Sequence, residues 1–154
     1  MMSRHDALAA GRAWVEAHAD QLERAAIVGS VLRDHPTCKD VDVLAVPKAG
    51  VKPVALPPVN LFLTTHEGWE ASVLQYAPGM ATIGIRAKAK AKGYRLNQYG
   101  LYRGEMLVAS GADEICRLAG VPLPVPVRRS LAGELVLIPL RKAVSHGSAV
   151  SLER

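Results

Sequence analysis

Asp40 and Asp42 stand one residue apart at the start of Asp40-Val41-Asp42-Val43-Leu44-Ala45-Val46. The apolar residues between and after them mark a strand over Val41–Val46, and the two-residue period of a strand turns both acids to one face. Like charges this close repel unless a cation lies between them, and hard oxygen ligands of this kind suit Mg²⁺ or Mn²⁺. Upstream, Ala25-Ala26-Ile27-Val28 reads as a short buried strand that stops at Gly29-Ser30. Glycine leaves room for an anion to approach backbone N–H groups, the serine adds a hydroxyl, and Arg33 follows within reach of the same anion. A phosphate held beside a divalent cation is the chemistry this set suggests. Alone, a Gly-Ser pair is usually a turn and D-x-D is more often an exposed edge; the weight lies in their order and separation.

The elements that must position these residues follow from periodicity and turn chemistry. Residues 5–24 are alanine-rich and place Leu8, Trp14, Val15 and Leu22 at helical intervals, which predicts one amphipathic helix. Val59–Leu63 is a strand expected beside Val41–Val46 in a sheet. Residues 67–76 show helix spacing again and stop at the turn Pro78-Gly79. Residues 82–92 read as a helix, Tyr94–Leu96 and Gly100–Arg103 as strands paired through Asn97-Gln98-Tyr99, and Ala112–Ala119 as a helix closed by Gly120. Three prolines between Val121 and Val127 predict an extended segment. Glu134–Leu140 is a last strand, followed by a Ser/Gly-containing tail from about Val144. The expected fold class is α+β, with one unit over residues 1–77 and a smaller one over 78–154.

Composition narrows the function classes. The 154 residues are 49% hydrophobic and 21% charged, a globular profile, and the 5% aromatic content argues against a stacking platform for single strands. The net charge of +5 favours a polyanionic partner. Arg86, Lys88, Lys90 and Lys92 alternate through seven residues, and Arg128, Arg129, Arg141 and Lys142 form a second basic group; either is a solvated face or a phosphate-binding one. Cys38 and Cys116 are too few for a disulfide framework and lack metal-ligand spacing, as do the five histidines. No stretch has the length of a signal-peptide core or a membrane span, so the expectation is a soluble, intracellular, cytoplasmic protein. Trp14 and Trp69, at apolar helical positions, are expected in the core.

The run Gly29-Ser30-Val31-Leu32-Arg33 followed by Asp40-Val41-Asp42 resembles the G-S…D-x-D signature of the DNA polymerase X (polymerase beta-like) nucleotidyltransferases. Val59-Asn60-Leu61-Phe62 takes the place of that family's V-D-L-F, and Gln75-Tyr76-Ala77-Pro78-Gly79 that of its Y-F-T-G turn. Gly93-Tyr94-Arg95-Leu96-Asn97-Gln98-Tyr99-Gly100-Leu101-Tyr102 is similar to G-[YF]-x-L-N-E-Y-G-L-[YF]. Glu114-Ile115 through Leu118-Ala119-Gly120-Val121-Pro122 to Pro126 and Arg128 resembles the family's terminal motif. The likeness spans about residues 25–129. Three departures stand out: Asn60 replaces the third catalytic aspartate, Leu32 stands where many members have arginine, and Ala77-Pro78 replace Phe-Thr.

The resemblance implies a palm (1–77) followed by a small nucleotide- and DNA-contacting subdomain (78–154), without a lyase domain. It implies a monomeric DNA repair polymerase that adds a nucleotide to a primer 3′-hydroxyl on gapped or nicked DNA, using dNTP and two Mg²⁺ or Mn²⁺ ions. Asp40, Asp42 and Asn60 would occupy the catalytic positions, with Asp40 and Asp42 holding metal. Gly29, Ser30, Arg33, Tyr76 and Gly79 would bind nucleotide, and Arg86, Lys88, Lys90 and Lys92 would meet DNA. An amide at position 60 carries no charge and cannot accept the hydroxyl proton, so impaired catalysis is expected whether Asn60 is natural or introduced. The alternatives are transfer to a non-DNA acceptor, or a catalytically dead palm that serves as a DNA-binding module.

Overall fold

The computed structural model describes residues 1–32, 36–76, 80–133 and 135–138, with the backbone alone at Ser30, Leu32 and 80–83. The chain opens with a two-residue strand β1 (Met2–Ser3), then helix α1 (Arg4–Ala17). Ser3 caps α1 by accepting from the Asp6 N–H at 3.0 Å, and Asp6 places negative charge in the first turn, where the helix dipole favours it. The helix ends earlier than periodicity suggests. A short 3₁₀ turn at Ala19–Gln21 intervenes, and strand β2 (Leu22–Val28) already includes Leu22, which had looked like the last apolar position of the helix.

Strand β3 (Thr37–Cys38) pairs with β1, and β4 (Val41–Pro47) and β5 (Val59–Leu63) are the strands expected from alternation. β2 and β4 are antiparallel, with Val28 opposite Asp42, whereas β4 and β5 run parallel, with Asp42 opposite Asn60. Helices α2 (Trp69–Gln75) and α3 (Met80–Ala91) follow, then a three-stranded antiparallel sheet of β6 (Arg95–Asn97), β7 (Gly100–Arg103) and β8 (Met106–Ala109). The β6–β7 hairpin is as expected, with Gln98-Tyr99 alone forming its loop; β8 lacks the β-branched alternation that would have announced it.

Helix α4 (Ala112–Ala119) closes on Gly120, whose φ of 78° is the left-handed cap that glycine adopts at no steric cost. Beyond it the extended reading of residues 121–127 needs correction: Val125–Leu131 is helix α5, with Pro124 at its N-cap and Pro126 in the first turn. A proline there gives up an N–H that would lack a partner anyway, so it starts a helix as readily as it breaks one. The last described strand, β9 (Val136–Ile138), lies antiparallel beside β2. A strand from the second half of the chain thus completes a mixed sheet of order β5-β4-β2-β9.

That sheet is covered on both faces. Ala25, Ile27, Val41, Val43 and Ala45 face α1, where Gly11 lets the helix approach so closely that a methyl group there would meet Val41 Cγ2 at 3.1 Å and Ile27 Cδ1 at 3.2 Å. Ala26, Val28, Leu44 and Val46 face the opposite core with Trp69, Leu74, Ile85, Leu101 and Ile115. Trp69 is fully enclosed there, as expected. Trp14 is half-buried, stacked on His18 and donating through Nε1 to the Val54 carbonyl at 3.2 Å, so it pins the loop before β5.

The two halves are joined by a buried polar knot. The Ser72 hydroxyl proton is shared between the Gln98 carbonyl, 2.6 Å away, and Thr64 Oγ1 at 2.7 Å, while Thr64 Oγ1 donates to the same carbonyl at 3.1 Å. Gly68 lies against it, since any side chain would overlap the Gln98 carbonyl oxygen. The knot ties the end of β5, helix α2 and the β6–β7 loop. Ser72→Ala should lower unfolding free energy by about 1–3 kcal/mol, the cost of leaving buried partners under-satisfied. Denaturant unfolding should show this as a lower midpoint at unchanged slope.

Candidate active site

The two faces of β4 are apolar everywhere except at its first turn of the pleat, where Asp42 shares a face with Leu44 and Val46. Parallel pairing brings Asn60 of β5 level with Asp42, and the amide Nδ2 donates to Asp42 Oδ1 at 3.2 Å. From the other side Gly29, which ends β2 with φ 76°, lies against the same carboxylate: a Cβ on Gly29 would overlap Asp42 Oδ2 and come within 2.9 Å of its Cγ. Asp42 is therefore clamped between an amide donor and a bare glycine backbone. Asp40, half-buried just before the strand, is close enough to act on Asp42 electrostatically and has no hydrogen-bond partner among the described residues.

Burial pushes the Asp42 carboxyl upward from its ordinary pKa, the Asn60 hydrogen bond holds it back, and the Asp40 charge adds to the rise. A carboxylate with raised proton affinity beside a second carboxylate, with no basic partner among the described residues, fits a cation, since a bound cation would relieve both the desolvation and the repulsion. The donor set is hard oxygen, suited to Mg²⁺ or Mn²⁺. Among the described residues it lacks a third acid, and no group of three His, Cys, Asp or Glu side chains there could hold a metal.

Tyr76 also reaches this end of the sheet. Its ring stacks on Phe62, centroid to centroid 4.2 Å, and Phe62 is two residues from Asn60 on the same strand face. Burial raises the Tyr76 pKa, and neighbouring Tyr99 adds to the rise. Phe62 and Tyr99 are site neighbours that the sequence reading did not single out; the parity of 60 and 62 could have found Phe62, whereas Tyr99 arrives through tertiary packing. Gly29, the backbone of Ser30, Asp40, Asp42, Asn60 and Tyr76 are placed; Arg33 and Gly79 lie outside the described residues, as does the Ser30 side chain.

The basic residues of α3 do not form one patch. Ile85 and Ala89 turn into the core, so the helical period sends Arg86 and Lys90 along one flank and Lys88 along the other. Lys92, just past the helix, lies with its Cε beside Gly120 at the end of α4. All four are exposed. A cavity of about 180 Å³ lies elsewhere, lined by Arg24, His66, Glu70 and Ser110 among others and by none of the residues around Asp42.

Two substitutions test this geometry. Gly29→Ala should cost at least about 1–3 kcal/mol from the left-handed backbone alone, with the overlap on Asp42 added, and should weaken Mn²⁺ binding in parallel. Asp42→Asn should raise the melting temperature at neutral pH. An acid whose folded pKa is raised burdens the fold fully above that pKa and not at all below its unfolded value, so the gain should fade as pH falls through the carboxylate range. Melting curves at neutral and acidic pH would check the sign.

No protein-family model matches the sequence, and no curated protein matches it. Solved structures do. A Leishmania infantum polymerase beta structure described as a ternary P/T complex superposes with a TM-score of 0.64 at 15% identity, over 83% of this chain and 76% of the other. A second, described as a ternary gap complex, gives 0.61 at 15% identity over 83% and 70%. The chain has an α+β fold with a mixed sheet, similar to that of polymerase beta.

Proposed function

We propose that this protein is a polymerase beta-like nucleotidyltransferase that binds a deoxynucleoside triphosphate with a divalent cation and acts, slowly, on the primer 3′-hydroxyl of gapped or nicked DNA. The observation that carries the reading is the meeting of Asp42, Asn60 and Gly29, with Asp40 close enough to act on Asp42 electrostatically, at one end of a sheet whose fold is similar to that of polymerase beta. Motif order alone could not have supplied that meeting. Residues 1–77 would serve as the palm and 78–154 as the nucleotide- and DNA-contacting part, with β9 returning to brace the palm sheet.

Each residue's part follows from its chemistry. Asp40 and Asp42 would hold the cation, which when bound would neutralise phosphate charge and polarise the reacting groups. Gly29 leaves its backbone open to the triphosphate, with Ser30 and Arg33 supplying donors, and Tyr76 with Gly79 would flank the sugar, Tyr76 fixed in place by Phe62. Arg86 and Lys90 would meet DNA phosphates along one flank of α3, with Lys88 and Lys92 on the other. Asn60 stands where a primer-side acid would take the hydroxyl proton, and an amide cannot take it. That favours a second reading, a palm that binds nucleotide and DNA without transfer.

The test is single-turnover insertion on a one-nucleotide gap by the chain as it stands and by Asn60→Asp. The unmodified chain should be very slow, and Asn60→Asp should gain about 10²–10⁴-fold from the restored proton acceptor. Inactivity of both forms with retained DNA binding would move the function to the binding reading. Transfer by Asn60→Asp to a protein or small-molecule acceptor, but not to DNA, would replace the acceptor class.

A further inference from the structure

We infer that this site takes one divalent cation with the triphosphate, where the two-cation chemistry of the enzymes it resembles uses two. This rests on the reading above and goes beyond it, because it follows from how Asp42 is held. A carboxylate that bridges two cations offers one oxygen to each. Here Oδ1 already accepts from Asn60 Nδ2 at 3.2 Å, which leaves Oδ2, on the side of the side-chain-free Gly29, as the one uncommitted oxygen. The donated N–H brings partial positive charge to the place where a second cation would approach Oδ1. Turning the amide around would set its oxygen against Asp42 Oδ1, two acceptors with no proton between them.

The remaining ligands are the Asp40 carboxylate, which has no partner among the described residues, and the Asp42 oxygen that Asn60 does not engage. Two protein oxygens, completed by phosphate oxygens and water, satisfy a single octahedral cation. A second cation would find one contested oxygen and, among the described residues, no third acid.

The experiment is a Mn²⁺ titration read by electron paramagnetic resonance. The full chain is mixed with a gapped duplex bearing a 3′-hydroxyl primer and a non-hydrolysable deoxynucleoside triphosphate, and a duplex-plus-nucleotide blank is titrated in parallel. One tight Mn²⁺ per chain is expected, rising to two in Asn60→Asp. Two on the unmodified chain would overturn the inference while leaving the functional reading intact, because Asn60 would then have turned its carbonyl to the metal. One on both forms would also overturn it, since a third acid would not be what limits occupancy. Nucleotide retention, followed separately by equilibrium dialysis, separates the two failures: a chain that keeps neither nucleotide nor Mn²⁺ loses the functional reading and this inference together. Should Asn60→Asp fold poorly, the count on the unmodified chain decides by itself.

Discussion

The central sheet is buried on both faces, and this constraint sets where polar chemistry is allowed. Along β2 and β4 one set of side chains is committed to α1 and the alternate set to the core of α2, α4 and β7. A charged residue anywhere in the middle of β4 would leave an unpaired charge in an apolar layer. At the start of the strand, however, Asp42 still belongs to a packed face yet reaches the rim, beside Asn60 and Gly29. The site is thus placed by the core: the same alternation that buries Leu44 and Val46 aims Asp42 outward at the end of their row.

Much of this was legible in the sequence because it depends on the shortest periods. The strand at Val41–Pro47 and the strand at Val59–Leu63 follow from alternation, and once they are neighbours the pairing of Asp42 with Asn60 needs only their register. What was not legible depended on context. Leu22 fits a helix pattern and a strand pattern equally, and Glu23 and Arg24 concealed the start of β2. The prolines at 122, 124 and 126 argue against helix by composition, yet Pro126 falls where helices accept it. The split of Arg86, Lys88, Lys90 and Lys92 between two flanks could have been read from the helical period, but alternation in the sequence made them look like one cluster. The Phe62–Tyr76 stack and the Ser72–Gln98 knot are contacts across 14 and 26 residues, beyond any local signal.

The knot and the clamp divide the labour at opposite ends of β5. At Thr64 the strand is fixed by hydroxyls that are fully satisfied, which suits a rigid joint between the halves. At Asn60 it is met by a carboxylate whose burial raises its proton affinity.

Asn60 also bears on how the protein ages. Asparagine becomes aspartate by slow hydrolysis when the nitrogen of the next residue attacks the side-chain amide, and the attack needs a backbone free to fold back. Here the next residue is Leu61, held in extended register opposite Val43 inside a paired strand. The amide is therefore shielded from its own chemical decay. That register slows this route to aspartate, whereas in the gene a single purine separates the two codons.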